Sequence, residues 1–434
     1  MNRLTILLLI LPALTFATVD VLSYEDALQL ALEHDFGIRL ARENSEAARI
    51  QGGYAKSGFL PRLDLTGSLG QVAGSEESNS TGSLGHTDTQ SLSAGASLSW
   101  TLFDGFRMFI NRARYGELAE LGEVQARALI EGRITALHAA YFDLVQQEML
   151  LQVAQESESL SADRFARERR SFELGGISSA DLLSAETAYN TDRSGVLRQE
   201  IAIEQSRQKL ALMVGLPAED LRVTHFIDLP SFDLSRDELL ALAEEFNSGL
   251  SASQLDFQLA ERGLSGAKAD WWPSLSLSAG YQWSDRTLSG EAAVLPVDIE
   301  TESRDLSLGL NLSYNLFNGD RKRLAVQNAR VSLRKAEIAH EEEVATLHSD
   351  LAEALTIWES RSELEELEAS NVSAAQTRYQ LEEDRYRSGA TTSLEYRDAQ
   401  LALARARSSE IAARYLARIA RVEIDRLAGR LLAE

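Results

Sequence analysis

Cysteine is absent from all 434 residues. That removes disulfides, thiolate metal sites, a cysteine nucleophile and a lipid-modified N-terminal cysteine. Proline is scarce, with six residues against an abundance of Ala, Leu, Glu and Arg, a balance that favours long helices. Positive charge is short as well: 43 Lys and Arg face 66 Asp and Glu, for a net charge of −23 and a pI near 4.8. Such a chain repels polyanions, so no nucleic-acid partner is expected. Past the N-terminus no stretch nears eighteen consecutive apolar residues, so no transmembrane helix is expected in the mature chain. No Walker-type or dinucleotide-type phosphate loop occurs. The six histidines (His34, His86, His138, His225, His340, His348) are scattered over unrelated segments. His340 and His348 lie in EIAHEEEVATLHSD, which reads as a solvated helix face. No catalytic residue, metal or cofactor is expected, and the chain does not read as an enzyme.

What is present begins with MNRLTILLLILPALTFATVD. Arg3, the apolar run Leu4–Leu14 and the small-residue site Thr15-Phe16-Ala17 read as a signal peptide over residues 1–17. The chain is then organised around FELGGISSADLL (Phe172–Leu183). Upstream, Arg107–Phe172 contains no proline and is rich in helix formers. At about 1.5 Å per residue it makes a rod of roughly 99 Å. Gly175-Gly176 is a stop signal, and Ser178 with Asp181 reads as a capping box that starts a returning helix, Ser179–Val214. The stretch is therefore the tip of a long helical hairpin. A second tip, YRSGATTSLEYR (Tyr386–Arg397), follows 214 residues on, with Gly389 for Gly175 and Thr392…Glu395 for Ser178…Asp181.

The duplication covers essentially the whole mature chain. Leu22–Ile38 aligns without gaps to Leu234–Leu250, Pro61 falls opposite Pro273, and WTLFDGFR (Trp100–Arg107) opposite YNLFNGDR (Tyr314–Arg321). The first repeat spans 22–220, a linker in a mid-height belt 221–233, and the second repeat 234–432. Each repeat reads as helix, two strands, long helix, tip, half-length helix. The first helix is expected over Tyr24–Phe59, and a polar loop over residues 73–90. By length, Ser179–Val214 is expected end to end with Ser235–Asp270, and Thr392–Leu432 with Tyr24–Phe59. The helices then form an antiparallel barrel-like bundle, with strands at one end and tips at the other.

The strands alternate with period 2. In DLSLGLNLSYNLF, Leu306, Leu308, Leu310, Leu312, Tyr314 and Leu316 face one way, and Ser307, Gly309, Asn311, Ser313 and Asn315 the other. Leu275, Leu277, Ala279, Tyr281 and Trp283 repeat the pattern. Lengths near the 9–11 residues that cross a bilayer, aromatics at the strand ends (Trp100, Trp271, Trp272, Tyr314; Tyr281, Trp283) and an opposite face too polar for a core favour membrane strands. Four strands cannot close a barrel, and an open sheet edge in lipid is prohibitively costly. Each subunit must then donate four strands to an oligomeric barrel, whose copy number these arguments leave open. The rival is a periplasmic coiled-coil scaffold without a pore, its strands forming a small soluble cap.

The ordered set of duplicated helix–strand–strand–long helix–tip units, with LF[DN]G after the second and fourth strands, resembles the TolC-type outer-membrane efflux proteins over roughly residues 22–432. The resemblance implies a mixed α+β membrane fold: a homotrimer whose twelve-stranded transmembrane β-barrel continues into a periplasmic α-helical coiled-coil tunnel. It implies an exit duct of a tripartite efflux or type I secretion system in the outer membrane of a Gram-negative bacterium. Its partners would be outer-membrane lipid, a periplasmic adaptor, and an inner-membrane pump of RND, ABC or MFS type. Position by position, it implies an acidic pore constriction at Glu395 and Asp398, closing contacts at Asp181 and Tyr386, and adaptor docking at the tips, Gly175, Gly176, Gly389 and Ala390. The sequence departs at Thr391, where a basic residue contributes to closure in the best-known member of that family.

Overall fold

The computed structural model describes residues 21–75, 84–225, 234–292 and 295–432. The signal peptide assigned to 1–17 and linker positions 226–233 lie outside the described residues. The chain separates into two units, residues 1–42, 127–247 and 346–434 in one and 43–126 and 248–345 in the other.

The element order repeats. Helices α1 (Tyr24–His34) and α2 (Phe36–Gln51) precede strands β1 (Arg62–Ser75) and β2 (Leu84–Asp104), then α3 (Arg107–Glu173) and α4 (Ser179–Val214). Helices α5 (Arg236–Phe246) and α6 (Ser248–Ala269) precede β3 (Ser274–Ala292) and β4 (Leu295–Ser313), then α7 (Arg321–Arg387) and α8 (Ser393–Leu427). Both α3 and α7 are 67 residues long, as the proline-free, Ala/Leu/Glu/Arg-rich stretches demand.

The first expected helix is broken. Asp35 closes α1, its N–H reaching the Ala31 carbonyl, while its carboxylate accepts the Ile38 N–H at 3.0 Å to start α2. Arg133 pairs with the same buried carboxylate, which burial pushes up but the Arg133 and backbone hydrogen bonds hold below the usual range. One side chain thus ends one helix and caps the next. Asn247 stands at the duplicate break between α5 and α6.

In the first unit, Leu22, Ala31, Leu137, Leu144, Leu210, Val214 and Val223 pack into a buried core. Tyr141 anchors it, donating its hydroxyl to the Leu22 carbonyl at 2.9 Å. Each half-length helix stops at a glycine pressed onto the other chain end. Gly215 (φ 73°) leaves only 2.7 Å between a would-be Cβ and His34, and Gly429 (φ 68°) only 2.5 Å to the Phe246 carbonyl oxygen. A side chain fits at neither position. The partners differ from the expected ones: α4 ends against α1 and α8 against the α5–α6 break, so Ser179–Val214 does not run on into Ser235–Asp270. Matching lengths allowed either pairing, and the close glycine contacts select this one.

The second unit holds one antiparallel sheet in the order β1-β2-β3-β4. Its strands have 14, 21, 19 and 19 residues, longer than expected; of the loop placed at 73–90, positions 73–75 and 84–90 are strand and 76–83 lie outside the described residues. Alternation of apolar residues marks only the part that faces a membrane, whereas the backbone ladder continues without it. Conversely β4 ends at Ser313, so Tyr314 and Leu316 lie beyond the ladder. One face carries Leu63, Leu65, Leu69, Leu306, Leu308, Leu310 and Leu312, all exposed, with Leu65 and Leu306 each 83% accessible.

Candidate functional site

Both tips are built alike. Gly175 and Gly389 sit at φ 75°, the left-handed conformation a helix stop uses. Gly176 N–H reaches the Ser171 carbonyl at 2.8 Å, and Ala390 N–H reaches that of Arg385 at 2.7 Å. Full capping boxes follow, Ser178 with Asp181 and Thr392 with Glu395. Nothing lies within 4 Å of a side chain built at Gly175 or Gly389, so these glycines serve turn geometry and leave the tip surface open.

The four acidic and aromatic residues singled out from the sequence fall into three settings. Asp181 is engaged by its own cap, its carboxylate accepting from the Ser178 N–H at 3.3 Å. Tyr386 instead donates to Glu168 at 2.9 Å and stacks on Tyr396 at 4.8 Å, with the Arg167 guanidinium 5.6 Å above its ring. Burial and the Glu168 carboxylate both hold the Tyr386 hydroxyl protonated above its usual range. Glu395 accepts from the Thr391 hydroxyl at 2.5 Å and from Thr392 N–H at 3.1 Å, and these donors lower its pKa. Thr391 therefore serves as a neutral donor to the acid four residues on. Asp398 pairs with Arg378 of α7 at 2.5 Å, both side chains half-exposed. Asp181 and Tyr386 are not joined to each other within the chain.

The sequence reading missed the polar cluster beneath these residues. Arg164 and Glu168 of α3 are almost fully buried, and Arg397 of α8 pairs with Asp192 of α4 at 2.8 Å. The Arg164 Nε and Nη1 atoms have no hydrogen-bond partner. Burial, then the nearby Arg397, lowers the Arg164 pKa, offset partly by Glu168. The only sequence signal was the i, i+4 spacing of Arg164 and Glu168, which on a charged helix reads as a solvated pair.

The sheet's other face is nearly all small and polar: Asp64, Thr66, Ser68; Ser91, Ser93, Ser97; Ser276, Ser278; Ser307, Asn311. One exception crosses all four strands. The register aligns Val72 with Thr89, Thr89 with Leu288 and Leu288 with Ile299, an apolar row on the polar face. Among the described residues no cluster of three or more His, Asp or Glu is disposed to hold a metal ion, and no helix is long and apolar enough to cross a membrane.

Comparison with known proteins agrees with this arrangement. The chain is 26% identical over 324 residues to protein CyaE of Bordetella pertussis, covering 74% of this chain and 65%, just under two thirds, of that one. It is 22% identical over 386 residues to the probable efflux pump outer membrane protein TtgC of Pseudomonas putida, covering 87% and 76%. The fold superposes on the outer membrane channel CmeC of Campylobacter jejuni with a TM-score of 0.79 at 17% identity, over 94% of this chain and 85% of that one. The model of the outer membrane efflux protein family matches residues 27–216 and 239–430, one stretch in each repeat, and the chain belongs to that family.

Proposed function

We propose that the protein is a passive outer-membrane exit duct of a tripartite efflux or type I secretion system. Substrates pass through it from the periplasm or an inner-membrane pump to the exterior. The observation that carries this reading is the four-stranded sheet with one exposed leucine face, one small polar face and two strand edges, β1 and β4, with no partner among the described residues. A soluble cap would bury those leucines, which disfavours the scaffold alternative. Lipid covers them at no cost, and further copies cover the edges. Three copies would give a twelve-stranded barrel with water on the serine face. The tips around Gly175, Gly176, Gly389 and Ala390 would meet a periplasmic adaptor, which brings an RND, ABC or MFS pump.

At the entrance, Glu395 and Asp398 of each copy would form an acidic constriction, and Asp181 and Tyr386 would take part in closure. Within one copy Tyr386 ties α7 to α3 through Glu168, and Asp398 is neutralised by Arg378, so the field at the mouth would depend on whether that pair is made. Membrane fractionation tests the reading. The protein is expected to sediment with outer membranes and to need detergent for release. Recovery as a soluble periplasmic species would refute it.

A further inference from the structure

The two repeats diverge in charge where a strand hands over to a long helix, and the divergence lines a cavity. The junction of β2 with α3 reads WTLFDGFRMF (Trp100–Phe109), and that of β4 with α7 reads YNLFNGDRKR (Tyr314–Arg323). Arg107 is kept as Arg321, but Asp104 becomes Asn318 and Met108 becomes Lys322. An acid is lost and a cation gained at the second junction. Asn318, Arg321 and Lys322 all line a cavity of about 710 Å³, whose wall also holds Asp104, Arg107 and Asp270. Asp320 and Arg323, likewise new in the second repeat, lie outside that wall and offset each other in charge.

Both acids of the wall are already engaged. Asp104 accepts the Met108 N–H at 3.1 Å and so caps α3, and Asp270 pairs with Arg107. Among the described residues neither Arg321 nor Lys322 has a carboxylate partner. The Lys322 ammonium donates to the Asn315 carbonyl at 2.5 Å and lies 5.8 Å and 5.5 Å from the ring centroids of Trp271 and Tyr314. Those contacts fix its position and use one of its three donors. Asn318 keeps the capping role of Asp104, its side-chain oxygen accepting the Lys322 N–H at 3.4 Å, and its NH2 remains as a donor. Ser274 and Ser313, paired across β3 and β4, add two hydroxyls to the wall. Cations are disfavoured at a helix N-terminus, so the stability of α7 does not account for Lys322.

We infer that this cavity binds a phosphate group, whose oxygens accept from Lys322, Arg321 and the Asn318 amide. Two cations ringed by neutral donors suit a tetrahedral dianion better than a planar monoanionic carboxylate. The volume falls in the range of small-ligand sites, so there is room for an organic body behind the phosphate. Two sources carry this chemistry. One is a phospholipid headgroup at the foot of the leucine face, and the other is a soluble phosphate ester reaching the polar face through Ser274 and Ser313. The site goes beyond the duct reading, since it requires neither conduction nor a particular number of copies.

The first repeat supplies the test variant. Asn318→Asp with Lys322→Met places at the second junction the residues that the first junction already folds with. Detergent-purified protein, washed free of lipid, is titrated calorimetrically with inorganic phosphate at constant ionic strength, and with acetate in parallel. Saturable phosphate binding is expected, about tenfold tighter than acetate, and about tenfold weaker in the double variant at unchanged assembly mass. Native mass spectrometry before the wash identifies the source. Phospholipid retained by the wild type and lost in the variant points to a headgroup, whereas phosphate binding without retained phospholipid points to a soluble ester. Equal phosphate binding by wild type and variant would overturn the site. So would the absence of both phosphate binding and variant-sensitive phospholipid. If the double variant does not assemble, Arg321→Gln, a change to an exposed side chain, carries the same comparison: weakened binding is expected, and unchanged binding overturns the site.

Discussion

At the scale of single residues, the proposed constriction turns on charge placement near the second tip. Asp in a helix interior is unfavourable by propensity, so Asp398 requires a compensating interaction, and Arg378 supplies one at 2.5 Å. An acid neutralised within its own copy attracts cations weakly. Replacing Arg378 by Gln should therefore increase cation selectivity and block by multivalent cations in planar bilayers. Asp398→Asn with Glu395→Gln should reduce both. If none of these variants changes selectivity or block, the acids act only locally and the constriction lies elsewhere. A second residue, His138, is buried beside Tyr24, whose hydroxyl lies 2.5 Å from its Nε2. Its Nδ1 has no partner. Burial lowers its pKa to about 4 from 6.5, so the unfolded chain binds a proton there that the folded chain refuses. Stability should fall as pH drops from about 6.5 toward about 4, by at most about 3 kcal/mol from this group. His138→Gln should flatten that part of the pH–stability curve, measured by denaturant unfolding. An unchanged slope would show that other groups set it.

At the scale of elements, the tips combine a glycine stop with a capping box, and these make separate contributions. Ser178→Ala and Thr392→Ala should each cost about 1 kcal/mol by removing a cap, read as a lowered thermal midpoint. Gly176→Trp and Ala390→Trp add bulk at the tip while leaving the Ser178 and Thr392 capping boxes in place, so they should abolish efflux while assembly persists. Retained efflux would make the tips purely structural. These elements were legible because capping and glycine stops are local signals: Ser179–Val214 was placed to the residue, and Arg107–Phe172 to within one. The break at Asp35 was not legible, since an aspartate within an apolar-striped run looks like any surface residue until Arg133 and the Ile38 N–H are brought to it. Strand ends were read short for a different reason. Alternation reports lipid contact, and β2 and β3 continue past Leu92 and Trp283 into positions where the outward face is Asp88, Asp285 and Thr287. The buried Arg164–Glu168–Arg397–Asp192 cluster stayed hidden because a charge run carries no mark of what will pack over it.

At the scale of the whole molecule, the chain is a duplicated half of nothing smaller than itself, yet its sheet is unfinished. The leucines on one face and the edges β1 and β4 each demand a partner, lipid for the former and further copies for the latter. The Val72–Thr89–Leu288–Ile299 row would then recur once per copy along the inner wall. The polarity of the two faces and the family match across both repeats lead to a barrel completed only by assembly. The mass of the detergent-solubilised protein, measured by native mass spectrometry, tests this most directly. Three copies are expected, released from the outer membrane only by detergent. A monodisperse single copy stable without detergent would contradict the account, and so would a mass of two copies.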